Sequence, residues 1–203
     1  MSPPAAQKQV EFFFDFGSPT AYLAYTQLPK IAADCGAQIV WRPMLLGGVF
    51  KSTGNQSPVM VALKGVWMWA DMGRWARRYG VRLEKNPHFI INTLTLMRGA
   101  VGMQMRQPDQ FLRYVDVMYR AMWVEPCNLG DAGVVGATLQ KAGFDPAAFM
   151  ALAGDPEVKA KLIEATDQAV KRGVFGAPTM FVGKDMFFGQ DRLDFVRETL
   201  AGP

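Results

Sequence analysis

The sequence predicts an α/β fold in which a β-α-β half and a β-β-α half are separated by an all-helical insertion. Three observations predict it. Short runs rich in Val and Phe, the signature of buried strands, occur near both ends of the 203-residue chain. Helical periodicity fills roughly the middle hundred residues. The first two strand signals enclose one helix within about forty residues, the arrangement of a parallel pair joined by a right-handed crossover.

The elements follow in order. Residues 9–16, QVEFFFDF, read as the first strand. Gly17 breaks it, Ser18 is a favoured helix N-cap, and Pro19 is favoured at the first helical position. Apolar residues then recur at helical spacing until Gly36 stops the helix. Residues 37–43, AQIVWRP, read as the second strand. Beyond Pro43, residues 58–79 read as one long helix rich in Met and Trp. Residues 92–106, 108–124, 131–142 and 155–173 read as further helices, with Asp109, Asp131 and Asp155 near their starts. Strand signals return at Pro178–Val182 and Asp185–Phe188, flanking a Gly183-Lys184 hairpin turn, and a final helix opens at Asp191. Residues 8–52 plus 172–203 are thus expected to form one domain and residues 53–171 a helical insertion domain. The frame is thioredoxin-like: a mixed sheet flanked by helices, with a helix N-terminus open after the first strand.

Composition narrows the function classes. Half of the residues are hydrophobic and a fifth charged, ordinary for a globular chain. A chain of this length buries a core without disulfide staples. Cys35 and Cys127 stand far apart with no CxxC spacing, which suits a reducing compartment. The start lacks a basic region followed by a long apolar run, and no stretch reaches the ~18 apolar residues of a membrane span. A cytoplasmic protein without membrane contact is expected. The net charge of +4 is spread along the chain with no arginine–aromatic block, so nucleic acid is not an expected partner. A mildly basic balance suits an anionic small substrate. One histidine and two distant cysteines do not suggest a transition-metal site.

The chemistry-bearing position is Ser18. The first N–H groups of a helix lack intrahelical partners and carry partial positive charge, which stabilises an anion. In thioredoxin-like proteins that anion is a cysteine thiolate. Here the four residues are Ser18-Pro19-Thr20-Ala21. A serine alone reads as an N-cap; it cannot exchange disulfides, but it can donate a hydrogen bond to a thiolate arriving from outside, and glutathione is the natural candidate. Pro178, opening the third strand, is expected to follow a cis bond, leaving the backbone of Ala177 facing the Ser18 helix to pair with a peptide such as glutathione.

Five motifs in series carry a resemblance. They are Phe14-Asp15-Phe16-Gly17-Ser18-Pro19, the stretch from Arg42-Pro43-Met44 to Thr53-Gly54-Asn55, Asn86-Pro87-His88-Phe89, Phe175-Gly176-Ala177-Pro178-Thr179, and Phe187-Phe188-Gly189-Gln190-Asp191-Arg192. In this order, over nearly the whole chain, they resemble the 2-hydroxychromene-2-carboxylate isomerases and the kappa-class glutathione transferases of the DsbA-like branch. The resemblance implies a glutathione-dependent isomerase that interconverts 2-hydroxychromene-2-carboxylate and trans-o-hydroxybenzylidenepyruvate, or acts on a related small aromatic carboxylate. Glutathione would be its cofactor, released unchanged. It implies that Ser18 holds the glutathione sulfur and acts as the catalytic residue. Asn55, Ala177, Pro178, Phe188, Gly189, Gln190 and Asp191 would bind the peptide. Lys51, Lys64, His88 and Phe89 would face the substrate, with Phe50 an alternative to Lys51. Family members are often dimers, so a homodimer is expected. Trp67, Met68, Trp69, Met72 and Trp75 either line an apolar pocket or pack the insertion. Two other activities share part of this pattern: a kappa-like transferase that releases a glutathione conjugate, and a thioredoxin-fold binding or chaperone module without turnover. The missing CxxC argues against a thiol–disulfide oxidoreductase.

Overall fold

Residues 7–202 are described by a computed structural model. β1 (Gln9–Phe14) lies inside a four-stranded sheet of order β2-β1-β3-β4. It runs parallel to β2 (Gln38–Pro43) and antiparallel to β3 (Thr179–Val182), and β3 pairs antiparallel with β4 (Asp185–Phe188). Both anticipated strand pairs are present, and the first strand is shorter than residues 9–16.

The two faces of β1 do different work. Phe12 and Phe14 are fully buried on one face, edge-on to Trp41 of β2. Their aromatic neighbours extend to Phe16 and, from other elements, to Tyr25 and Tyr119. Each such ring contributes about 2 kcal/mol by leaving water. On the other face Phe13 meets Phe181, and the Arg172 guanidinium lies over both rings while pairing with Glu11 at 2.8 Å. Arg172 and Arg42 together hold the Glu11 carboxyl below its ordinary pKa.

α1 (Pro19–Asp34) begins as its sequence predicts: the Ser18 hydroxyl oxygen accepts from Ala21 N–H at 3.1 Å, and Pro19 occupies the first turn. Between β2 and β3 run α2 (Leu46–Thr53), α3 (Ala62–Tyr79), α4 (Leu94–Arg106), α5 (Pro108–Trp123), α6 (Ala132–Lys141), α7 (Pro146–Gly154) and α8 (Pro156–Lys171); α9 (Leu193–Ala201) closes the chain. The expected helix over 58–79 is interrupted. Pro58–Met60 form a 3-10 turn, Val61 is extended, and α3 starts only at Ala62. Two helices were not anticipated, α2 and α7. α7 opens on Asp145-Pro146 with the same capping chemistry as Asp155-Pro156 before α8. Asp131 and Asp155 are N-caps, whereas Asp109 sits within the first turn of α5 without capping it.

The insertion packs at close range. Gly99 and Gly102 of α4 admit α7: a Cβ on Gly99 would strike Phe149 and Tyr114, and one on Gly102 would lie 2.6 Å from Leu152. Among the described residues no helix is long and apolar enough to cross a membrane. Gly99→Ala is expected to lower unfolding free energy by about 1–3 kcal/mol through overpacking. Urea denaturation of the variant beside Gly73→Ala, which meets only the end of Arg77, measures it.

Candidate functional site

The β1–α1 turn, the start of α2 and the approach to α4 converge on one carboxylate. Asp15 is completely buried. Its Oδ1 accepts from Gly17 N–H at 2.8 Å; its Oδ2 accepts from Leu46 N–H at 2.8 Å and from the Thr93 hydroxyl at 3.0 Å. Burial pushes the Asp15 pKa up and outweighs these three donors, which pull it down.

Above this point lies a cavity of about 550 Å³. Its polar lining includes Asp15, Ser18, Thr93, Asn55, Asn92 and the Ala177 backbone. Its apolar lining includes Leu45, Phe50, Met68, Phe89, Ile90 and Phe188. The Ser18 hydroxyl is buried at the N-terminus of the 16-residue α1 and donates to the Ala177 carbonyl at 2.8 Å. The Ala177–Pro178 peptide is cis, as the sequence predicts. Phe188 crosses Phe175 at 4.5 Å between centroids, and a side chain on Gly176 would meet the Phe188 ring at 2.7 Å, so Gly176 lets this ring lie against the wall.

Of the residues singled out in the sequence, Ser18, Asn55, Ala177, Phe89 and Phe188 line this cavity, and so does Phe50. The Asn55 amide donates to the Phe175 carbonyl at 2.8 Å, tying the end of α2 to the segment before β3. Pro178 is buried next to Ala177, and its carbonyl accepts from Gly189 N–H at 3.0 Å. Gln190 and Asp191 line a different recess of about 140 Å³ with Gln27, Trp75, Arg78 and Tyr79. There the Tyr79 hydroxyl donates to the Gln190 carbonyl at 2.7 Å, and the Asp191 carboxylate lies 3.4 Å from Arg192. Gly189, at φ +101°, leaves room for the Asp191 carboxylate to fold back over the turn.

Lys51, Lys64 and His88 are exposed and are not among the cavity-lining residues. The His88 N–H donates to Asn86 Oδ1 at 2.9 Å. Asn86 is buried and donates to the Met122 and Cys127 carbonyls, which fixes the loop that brings Phe89 to the cavity. Of the Met and Trp residues of α3, Met68 lines the cavity, Met72 is core and Trp67 is exposed; Trp69 packs on Phe89 and Trp123. Asp15, Thr20, Thr93, Gln56, Ser57 and Asn92 were not singled out. Asp15 stands inside the first of the five motifs, and Thr20 two residues after Ser18. Among the described residues no group of three or more His, Cys, Asp or Glu could hold a metal ion.

A family model of the DSBA-like thioredoxin domain matches residues 9–201. The chain is 33% identical over 195 residues to a 2-hydroxychromene-2-carboxylate isomerase of Sphingobium xenophagum, covering 95% of this chain and 98% of that protein. It is 27% identical over 208 residues to glutathione S-transferase kappa 1 of Rattus norvegicus, covering 97% and 92%. A solved structure of selenomethionine 2-hydroxychromene-2-carboxylate isomerase superposes with a TM-score of 0.83 at 30% identity, covering 95% and 94% of the two chains. A probable DsbA oxidoreductase from Streptomyces coelicolor shares the fold, with a TM-score of 0.71 at 17% identity over 96% and 88%.

The raised pKa of Asp15 has a defined sign in folding. Between the model-peptide value of 3.8 and the higher native value, the folded state binds more protons than the unfolded state, so the Asp15 contribution falls as pH rises through that window. Asp15→Asn is expected to cost about 1–3 kcal/mol, because an amide N–H₂ faces at least one of the three donors. The stability gap to the parent is expected to be widest near pH 4 and to narrow as pH rises. Urea titrations of both proteins from pH 4 to pH 7 test this; a constant gap counts against it.

Proposed function

Because the chain belongs to the DSBA-like thioredoxin family and shares that membership with 2-hydroxychromene-2-carboxylate isomerases, we propose that it is a glutathione-dependent isomerase of an aromatic substrate, 2-hydroxychromene-2-carboxylate or a close relative of it. The observation that carries the reading is the Ser18 hydroxyl, set at a helix N-terminus in the wall of an otherwise largely apolar cavity, opposite Ala177. This donor chemistry fits a thiolate: a hydroxyl proton and a positive helix end each favour the anion over the thiol, against the desolvation cost of the apolar surround.

Glutathione, held at Ser18, would supply a thiolate nucleophile for reversible addition to the conjugated double bond of the substrate. The protein's own groups do the rest. Ser18 orients and stabilises the sulfur. With the Ala177 carbonyl taken by hydroxyls of α1, the Ala177 N–H is the proposed peptide-pairing group at the strand end. Phe50, Met68, Phe89 and Phe188 offer apolar surface to an aromatic ring and exclude water from it, which strengthens the polar contacts made beside them. Lys51 follows Phe50 and Gly47 of that wall on α2 and is the proposed rim partner for a substrate carboxylate. Asp191, in the separate recess beyond the Gly189 turn, is the proposed partner of the glutathione ammonium, which lies at the far end of the tripeptide from the sulfur held at Ser18.

A second reading has a specific observation behind it, the similarity along 97% of the chain to a kappa glutathione transferase. Both readings use the Ser18 wall and differ in whether glutathione is conserved or consumed. Turnover of 2-hydroxychromene-2-carboxylate with and without glutathione separates them: isomerisation stimulated at constant glutathione supports the proposal, a stable conjugate supports the transferase, and neither turnover nor millimolar glutathione binding points to a binding module. Ser18→Ala is expected to lower turnover about 10- to 100-fold, the loss of one hydrogen bond to a charged group. Asp191→Ala is expected to raise the KM for glutathione with little change in saturated kcat; an unchanged KM removes Asp191 from the site.

A further inference from the structure

Thr20, two residues beyond Ser18, takes part in a hydrogen-bond arrangement in which two hydroxyl protons face one carbonyl oxygen. The Ser18 hydroxyl has one proton, which goes to the Ala177 carbonyl at 2.8 Å, while its oxygen accepts from Ala21 N–H. The Thr20 hydroxyl lies 3.1 Å from the same carbonyl and 3.0 Å from Ser18 Oγ. Ala177 is 8% exposed, and two hydroxyls therefore share one buried acceptor. If Ser18 alone served that carbonyl, turning its proton toward a sulfur would leave a buried acceptor unpaired, and the hydrogen bond gained would be offset by the one lost.

We infer that Thr20 is a positioning residue that takes over the Ala177 carbonyl and so frees the Ser18 proton for the glutathione sulfur; this rests on the reading that a glutathione thiolate sits at Ser18. Every donor then has an acceptor. Ala21 N–H stays on Ser18 Oγ, the Ser18 proton points to sulfur, and the Thr20 proton points to Ala177. No proton changes owner among these groups, and the thiol proton leaves to solvent. Thr20 is half-buried in the first turn of α1, so its shape can be kept while its hydroxyl is removed.

The experiment is an ultraviolet titration of thiolate absorbance on the full chain saturated with glutathione. It compares the parent with Thr20→Val, Thr20→Ser, Ser18→Ala and the double variant Ser18→Ala/Thr20→Val. Thr20→Val is expected to raise the pKa of the bound thiol by about one unit. Thr20→Ser is expected to restore it. In the Ser18→Ala background Thr20→Val is expected to add nothing, because Thr20 acts through Ser18. Thr20→Ala replaces the valine variant should valine disturb the helix start. An unchanged pKa in Thr20→Val, with glutathione binding retained by calorimetry, overturns this inference and leaves the proposed function standing. An equal shift with and without Ser18 also overturns it, because Thr20 would then act on the sulfur directly. Absence of glutathione binding by the parent protein overturns both.

Discussion

The cavity depends on the buried Asp15 carboxylate. Gly17 belongs to the turn that presents Ser18, Leu46 is the first residue of α2, and Thr93 immediately precedes α4. One side chain thus fixes the relative placement of three chain segments distant in sequence. Its burial is costly, and the cost is offset only while all three donors stay in place. The geometry of the serine wall is therefore coupled to the position of two helices that carry none of its chemistry.

Both halves of the fold line the cavity. The sheet and the turns at its strand ends bring Ser18 after β1, Ala177 before β3 and the Phe188 ring of β4. The segments between β2 and β3 bring apolar bulk, Met68 from α3 and Phe89, Ile90 and Ile91 from the loop pinned by Asn86, together with the polar Asn55, Asn92 and Thr93. Polar groups for orientation set within a mostly apolar lining are the ordinary make-up of a small-molecule site.

Much of this was legible in the sequence where the signal was local. Gly17-Ser18-Pro19 marks a strand-to-helix junction by itself, and the helix and its cap are where those residues place them. The paired terminal strands and the helical middle were equally readable from periodicity. What was not legible depended on distant partners. α2 is short, carries two adjacent glycines, and has its first N–H satisfied by Asp15, 31 residues earlier, so no local cap announces it. Without that helix the phase of Phe50 against Lys51 could not be set, and it is Phe50 that lines the wall. α7 did carry a local signal, Asp145-Pro146, but its Ala-rich, uncharged body lacks the polar face that marks α8. Gln190 and Asp191 share a motif with Phe188, yet the turn at Gly189 sends them to another recess.

The Trp123 indole N–H donates to the Phe16 carbonyl at 2.8 Å, with both residues fully buried. Trp123 also lies 6.0 Å from Trp69 and 5.6 Å from Phe89, whose ring lines the cavity. The strand end that leads to the serine and a ring that lines the cavity are thus joined through one indole. The molecule consequently carries its own optical reporter: a shift of the Phe89 loop relative to the serine turn alters the surroundings of Trp123 and Trp69, and so their emission, without an added label.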